Sequence, residues 1–251
     1  SGEIDPPALV RLAEKCDAPI LADPLSGLRC GPWPKRFVVS GYDAFLRGQA
    51  PAYPDWVLQF GGTPVSATLQ RWLAQPRMPR PMVVAACAPW PDPALRASLV
   101  VHADPGRVIA MLCDIVSAVS HADWTDTWRH SDDETHCADT TILPREAALM
   151  QAASAAIAEN GSLFLGNSMV IRDADSFLSG CDKALAIFGN RGVSGVDGNV
   201  STAAGIAAGG TDATIAIVGD VALFHDLNGL ALAARHGLKL LVVNNGGGAI
   251  F

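Results

Sequence analysis

Two polar sites late in the chain, Gly219-Asp220 and Asn244-Asn245, each follow a short apolar run, residues 213–218 and 238–243, with the β-branched content of a buried strand. Asp220 offers a charged oxygen and Asn245 a neutral one, one strand–helix–strand crossover apart, which puts both at the carboxyl ends of neighbouring parallel strands. Open α/β sheets bind ligands at that edge. Gly246, Gly247 and Gly248 follow, and a backbone without side chains lets a main-chain oxygen approach as a third ligand. A hard cation such as Mg²⁺ takes a few protein oxygens and completes its shell with phosphate. These residues therefore suit Mg²⁺ together with a diphosphate. A plain crossover in which Asp220 caps the following helix is the competing reading.

The elements that must position them alternate along the chain. Residues 5–15 are expected as a helix with Pro6 and Pro7 in its first turn, followed by a strand at 18–22 and a Gly/Pro-rich segment to about residue 54 holding a short helix at 42–46. Strands at 56–60, 82–86 and 97–101, and helices at 66–74 and 104–119, complete a first region ending near Ser120. Residues 121–141 mix Asp, His, Thr and Trp without a sustained period and are expected as a linker, with His121, His130 and His136 exposed and without a role. A helix at 144–159 and strands at 161–166 and 184–188 then lead to the run at 213–218. Four strands thus end in polar or glycine-rich loops, and four such loops converging on one edge outweigh the plain-crossover reading.

Composition narrows the classes. The chain has 251 residues, 49% of them hydrophobic, and a net charge of −7 with Lys and Arg scattered, which argues against a nucleic-acid surface. No apolar run reaches membrane-spanning length and no secretory leader is visible, so the expected compartment is the cytoplasm. The six cysteines lack a CxxC spacing and are expected as reduced packing residues.

Gly-Asp followed one crossover later by Asn-Asn is similar to the metal–diphosphate motif of thiamine diphosphate (ThDP) enzymes. A narrower likeness lies in Gly166-Asn167-Ser168-Met169-Val170-Ile171-Arg172, the 190–198 segment Asn-Arg-Gly-Val-Ser-Gly-Val-Asp-Gly, Ser201 to Gly205, Asp226-Leu227-Asn228 and Asn244 to Phe251. From about Gly161 onward the chain resembles the SEPHCHC synthase family, ThDP-dependent carboligases of menaquinone biosynthesis. The likeness is weak before that.

The resemblance implies two Rossmann-like three-layer α/β domains with parallel sheets, a middle domain over 1–120 and a ThDP-binding domain over 142–251. It implies Mg²⁺ (or Mn²⁺) on the Asp220 and Asn245 side chains and the Gly247 carbonyl, and ThDP held by Gly219, Asp220, Val221 and Asn245, with Val196 supporting its bent form. Ser168, Arg172 and Arg191 would face substrate, and Ile250 and Phe251 would form an apolar wall. Two arginines suit the family's substrates, 2-oxoglutarate and isochorismate, because guanidinium recognises carboxylate in bidentate fashion.

Three departures accompany the resemblance. The glutamate that activates ThDP in such enzymes belongs to a pyrimidine-binding domain not found in these residues, so it is expected from the rest of the enzyme or another subunit, and the isolated chain is expected to be inactive. The ThDP-binding domain is expected to be incomplete at its carboxyl end. Ala67 stands where the family often has lysine. The resemblance further implies a homodimer or homotetramer. Two other readings remain open: another ThDP-dependent 2-oxoacid decarboxylase or acetolactate-synthase-like enzyme, and a non-catalytic subunit on the same fold.

Overall fold

The computed structural model describes residues 4–48, 50–78, 82–85, 92–136, 145–210 and 213–247. The chain separates into two compact units, Ser1–Arg29 with Trp33–Ala138, and Cys30–Pro32 with Asp139–Phe251.

In the first unit, α1 (Pro6–Cys16) starts with proline at its first positions, where the missing N–H costs nothing, and ends at Asp17 in the left-handed region. Its apolar face, Leu9, Val10 and Leu12, packs with Ala22, Val38 and Ile109. Strands β1 (Ile20–Leu21) and β2 (Val38–Val39) pair in parallel. The sequence reading missed β2, because two residues inside a Gly/Pro-rich segment carry no readable period. After α2 (Tyr42–Phe45), β3 (Leu58–Phe60) and α3 (Ala67–Leu73), β4 (Met82–Ala85) and β5 (Leu99–His102) complete a parallel sheet in the order β3-β4-β5. Helix α3 is capped by Ser66, whose Oγ accepts from Leu69 N at 2.9 Å, and α4 (Pro105–Ile115) by Asp104, which accepts from Arg107 N at 3.0 Å.

The segment expected as a linker is instead α5 (Ala122–His136), a helix of this unit. Its buried face is Thr125, Trp128 and Asp132, at helical spacing but largely polar, which concealed the period. Trp128, 1% exposed, packs edge-on against Phe45, Trp72 and Trp124 at 5.9, 5.6 and 5.7 Å between ring centres. Asp132 accepts from Ser40 N at 3.0 Å and Gly41 N at 2.6 Å, satisfying main-chain donors just before α2. His136 is no exposed linker histidine: its Nε2 lies 2.9 Å from Ser40 Oγ. His121 and His130 are exposed as expected, His130 pairing with Glu134 at 3.2 Å.

The second unit is one parallel sheet with helices on both faces. Its elements are α6 (Arg145–Ala156), β6 (Ser162–Leu165), α7 (Met169–Phe177), β7 (Ala186–Gly189), α8 (Asn199–Gly209), β8 (Thr214–Gly219), α9 (Asp220–His225), α10 (Gly229–Arg235) and β9 (Lys239–Val243). The strand order is β7-β6-β8-β9. Strand β8 is buried along nearly its whole length, which is why it reads as a continuous apolar run. Phe164, Ala216 and Val218 pack with Val200, Ala203, Ala204 and Ala233. The alternate residues Leu163, Leu165 and Ile217 are buried on the opposite face, as a period of two requires. Helix α6 packs on α7, and α8 on α10.

Candidate functional site

The strand order places β6 beside both β7 and β8, so the chain leaves β6 toward one side and β8 toward the other. The crevice of such a sheet opens where the order reverses, at the carboxyl ends of these two strands. Gly166-Asn167-Ser168 follows β6 and Gly219-Asp220 spans the end of β8, so both stand at the crevice. Gly166 marks how close the strands come: a Cβ there would lie 2.9 Å from Ile217 O.

Asp220 is the first residue of α9, with Gly219 as the N-cap, so it does not cap the helix as the competing reading required. Its carboxylate is partly buried and makes no hydrogen bond or ion pair to a described residue. The register aligns Gly219 with Val243, so Asn244 and Asn245 emerge beside Asp220 on the adjoining strand. Asn244 Oδ1 accepts from Gly246 N at 2.9 Å, bending the chain back. Gly247, at φ +69°, then lies against the carboxylate, and a Cβ there would sit 3.5 Å from Asp220 Oδ2. No group of three His, Cys, Asp or Glu gathers among the described residues, so a cation here would draw on carboxylate, carboxamide and main-chain oxygens. That hard-oxygen set, beside a glycine with no side chain to fill the approach, fits a small divalent cation shared with phosphate. Val221 follows with its side chain 38% exposed, and Asn245 is exposed.

Ser168 precedes α7 with φ 67° and ψ −124°, a backbone region in which a residue bearing a side chain is strained. Arg172 lies on the exposed side of α7, its Nη1 3.9 Å from Met169 Sδ. Arg191 lines an open cavity of 490 Å³ with Asn190, Asp197, Gly198 and Thr202, on the β7 side of the edge. Asp220, Asn245 and Ser168 are not among its walls. Neither Arg172 nor Arg191 forms an ion pair with a described residue. Val196 is 36% exposed on the same loop as Arg191. Ile250 and Phe251 lie outside the described residues. Ala67 opens α3 in the first unit.

One titratable group beside these residues is displaced. Asp173, next to Arg172 in α7, has its carboxyl pushed up to about 6, first by burial and then by the negative charge of Glu146, with Arg172 pulling the other way.

The sequence reading gave no role to the two asparagines that tie these loops together. Asn199, fully buried at the start of α8, donates through Nδ2 to the carbonyls of Gly195, Val196 and Asp197 at 3.3, 2.8 and 3.3 Å. Its Oδ1 accepts from Asn167 N at 3.2 Å, and Asn167 Nδ2 donates to Gly195 O at 2.7 Å. An asparagine opening a helix whose other buried positions, Val200, Ala203 and Ala204, are apolar was the available signal. Asp226 plays a similar part, accepting from Ser201 N and Oγ, both at 2.7 Å.

A parallel α/β sheet with an oxygen donor set and glycines at its carboxyl edge places the second unit in the parallel α/β class, consistent with a ThDP-enzyme domain. Sequence comparison narrows that class to one family. The chain is 41% identical over 264 residues to 2-succinyl-5-enolpyruvyl-6-hydroxy-3-cyclohexene-1-carboxylate synthase (SEPHCHC synthase) of Geobacillus thermodenitrificans, a match covering 100% of this chain and 45% of the relative. It is 40% identical over 259 residues to the like-named protein of Halobacterium salinarum, covering 99% of this chain and 43% of the relative. The Bacillus velezensis protein of the same name is 33% identical over 259 residues, covering 100% of this chain and 45% of the relative. The chain belongs to the SEPHCHC synthase family and spans about half the length of the curated relatives it matches. No protein-family model matches it.

Proposed function

We propose that this chain serves a ThDP-dependent carboligase that adds a succinyl-semialdehyde unit from 2-oxoglutarate to isochorismate in menaquinone biosynthesis. The observation that carries the reading is the approach of Gly247 to an Asp220 carboxylate that no described side chain engages, at the end of β8, in a chain similar along its whole length to SEPHCHC synthases. Asp220 and Asn245 would hold Mg²⁺ by side chain and Gly247 by its carbonyl. Gly219 and Val221 would border the diphosphate, and Val196 would offer the apolar support for a bent cofactor. When bound, ThDP supplies the electron sink for decarboxylation and carbon–carbon bond formation.

The remaining work falls to the chain's own side chains. Arg172 and Arg191, neither of which forms an ion pair with a described residue, would take the substrates' carboxylates, and Ser168 would orient one of them through its hydroxyl. Ile250 and Phe251 would border the substrate with apolar surface. The carboxylate that activates the cofactor would come from a pyrimidine-binding domain of the longer protein or of another subunit, in a homodimer or homotetramer, and the chain alone would be inactive. No described helix is long and apolar enough to cross a membrane, and we assign the enzyme to the cytoplasm.

Isothermal titration of the full-length protein with ThDP and Mg²⁺ tests the cofactor. Binding that requires Mg²⁺ and falls at least about a hundredfold in Asp220→Ala is expected, since a ligating carboxylate is lost; binding indifferent to that substitution refutes the site. Product analysis with 2-oxoglutarate and isochorismate tests the substrates.

A further inference from the structure

The loops that bear Ser168, Arg191 and Val196 come from different strands, and a pair of buried carboxamides joins them. Asn167 is 3% exposed at the end of β6, and Asn199 is fully buried at the start of α8. The Asn167 main-chain N–H donates to Asn199 Oδ1, and both Nδ2 groups converge on Gly195 O, at 2.7 Å from Asn167 and 3.3 Å from Asn199. Asn199 also holds the next two carbonyls, those of Val196 and Asp197.

The two side chains differ in how fully they are used. Asn199 has its oxygen and its amide engaged, whereas Asn167 Oδ1 is buried without a hydrogen-bond partner among the described residues. A buried acceptor left unmade opposes folding, so internal satisfaction alone does not account for Asn167. What it provides is a fixed link. The 190–198 loop has exposed residues from Arg191 to Asp197, with Val193 86% exposed, and no apolar core to order it. Its order rests on polar anchors, among them Asn190 Nδ2 to Thr202 Oγ1 at 3.1 Å, Thr202 Oγ1 to Gly198 O at 2.7 Å, and the carboxamide pair.

We propose that Asn167 and Asn199 are positioning residues that lock the loop carrying Arg191 and Val196 to the turn carrying Ser168, and thereby set where Arg191 meets an anionic substrate. The functional half of this inference rests on the carboligase reading; the loop-ordering half does not. Both halves are tested in the full-length protein with Asn167→Ala and with two changes at Asn199, the near-isosteric Asn199→Asp, which removes the donor and keeps the acceptor, beside Asn199→Ala.

Amide hydrogen exchange is the first readout. In Asn167→Ala and Asn199→Asp, exchange across residues 190–198 rises by about tenfold or more, as expected for losing coupled hydrogen bonds, while β6 and β8 keep their protection. Unchanged exchange in the loop overturns the inference, as does an equal rise throughout the sheet, which would mark general destabilisation. Kinetics is the second readout. In Asn167→Ala, KM for at least one of 2-oxoglutarate and isochorismate rises about tenfold with kcat within about twofold. In an Arg191→Ala background the same substitution changes that KM by less than about twofold, because the arginine it places is gone. Additive effects, or a loosened loop with both KM values unmoved, overturn the positioning role. If the unmodified protein turns over neither substrate, the carboligase reading fails on that result, and the exchange data alone decide the clasp.

Discussion

Replacing Asp173 with asparagine should stabilise the protein at neutral pH and leave it unchanged in acid. The Asp173 carboxyl is raised from 3.8 to about 6, with burial the leading cause and Glu146 the second. A carboxyl held above its ordinary value favours the folded state in its protonated form. That stabilisation is complete below about 3.8 and lost as pH rises through about 6. At ~1.4 kcal/mol per pH unit, the rise from 3.8 to about 6 sets a ceiling of ~3 kcal/mol, which screening of the partly exposed carboxyl reduces to ~1–2 kcal/mol. Asparagine has the shape of the protonated acid and no charge to desolvate.

The stability difference between Asp173→Asn and the unmodified protein should therefore be near zero at pH 4, grow between pH 4 and 6.5, and level off at ~1–2 kcal/mol. The choice of probe matters. All six tryptophans lie in the stretch from Trp33 to Ala138, within the first unit, so tryptophan emission does not report on α7 directly. Urea unfolding followed by far-ultraviolet circular dichroism, with emission as the control for the first unit, is the appropriate assay. NMR titration of the Asp173 carboxyl gives the midpoint itself, and Glu146→Gln should lower it. A stability difference that stays constant from pH 4 to 8, or one that favours aspartate at pH 8, refutes the reasoning.

Other substitutions test other joints. Trp128→Ala should cost ~3–5 kcal/mol, since it empties the centre of an aromatic cluster, and urea unfolding monitored by tryptophan emission reads it in the first unit. Lys183 Nζ donates to the carbonyls of Ser154, Ala155 and Ile157 at 3.4, 2.8 and 3.1 Å and closes the end of α6; Lys183→Met should cost ~1–2 kcal/mol and raise hydrogen exchange in that last turn first. Gly247→Ala puts a methyl group 3.5 Å from Asp220 Oδ2 on a backbone at φ +69° and should weaken Mg²⁺-dependent ThDP binding by about tenfold or more in calorimetric titration, with the fold destabilised by ~1–2 kcal/mol from the left-handed backbone.

What the sequence disclosed depended on how each element buries itself. Strands β6 and β8 were legible because parallel strands covered on both faces are continuous apolar runs, and Asp220 interrupts the β8 run where that strand ends. The edge strand β9 is largely exposed, but residues 238–243 are still mostly apolar and Asn244-Asn245 closes them. Helix α5 was not, because Thr125 and Asp132 satisfy their polar groups internally and so occupy buried positions that a hydrophobic count passes over: Thr125 Oγ1 donates to Asp17 O at 2.5 Å, and Asp132 accepts main-chain N–H groups. Strand β2 is too short to show a period. At the candidate site, residues placed by strand ends were readable, while Asn167 and Asn199 act through main-chain carbonyls, a relation visible only once the loops have folded.

Ser168 sets stability and chemistry against each other at a single position. Its backbone conformation, φ 67° and ψ −124°, is one that glycine occupies without strain, so Ser168→Gly should raise the unfolding temperature of the chain. The same exchange deletes the hydroxyl at the sheet edge. A screen for heat-resistant variants would therefore favour glycine here while a screen for turnover would reject it. Opposite outcomes in the two screens would identify this serine as one kept for what its side chain does, at the expense of the fold that holds it.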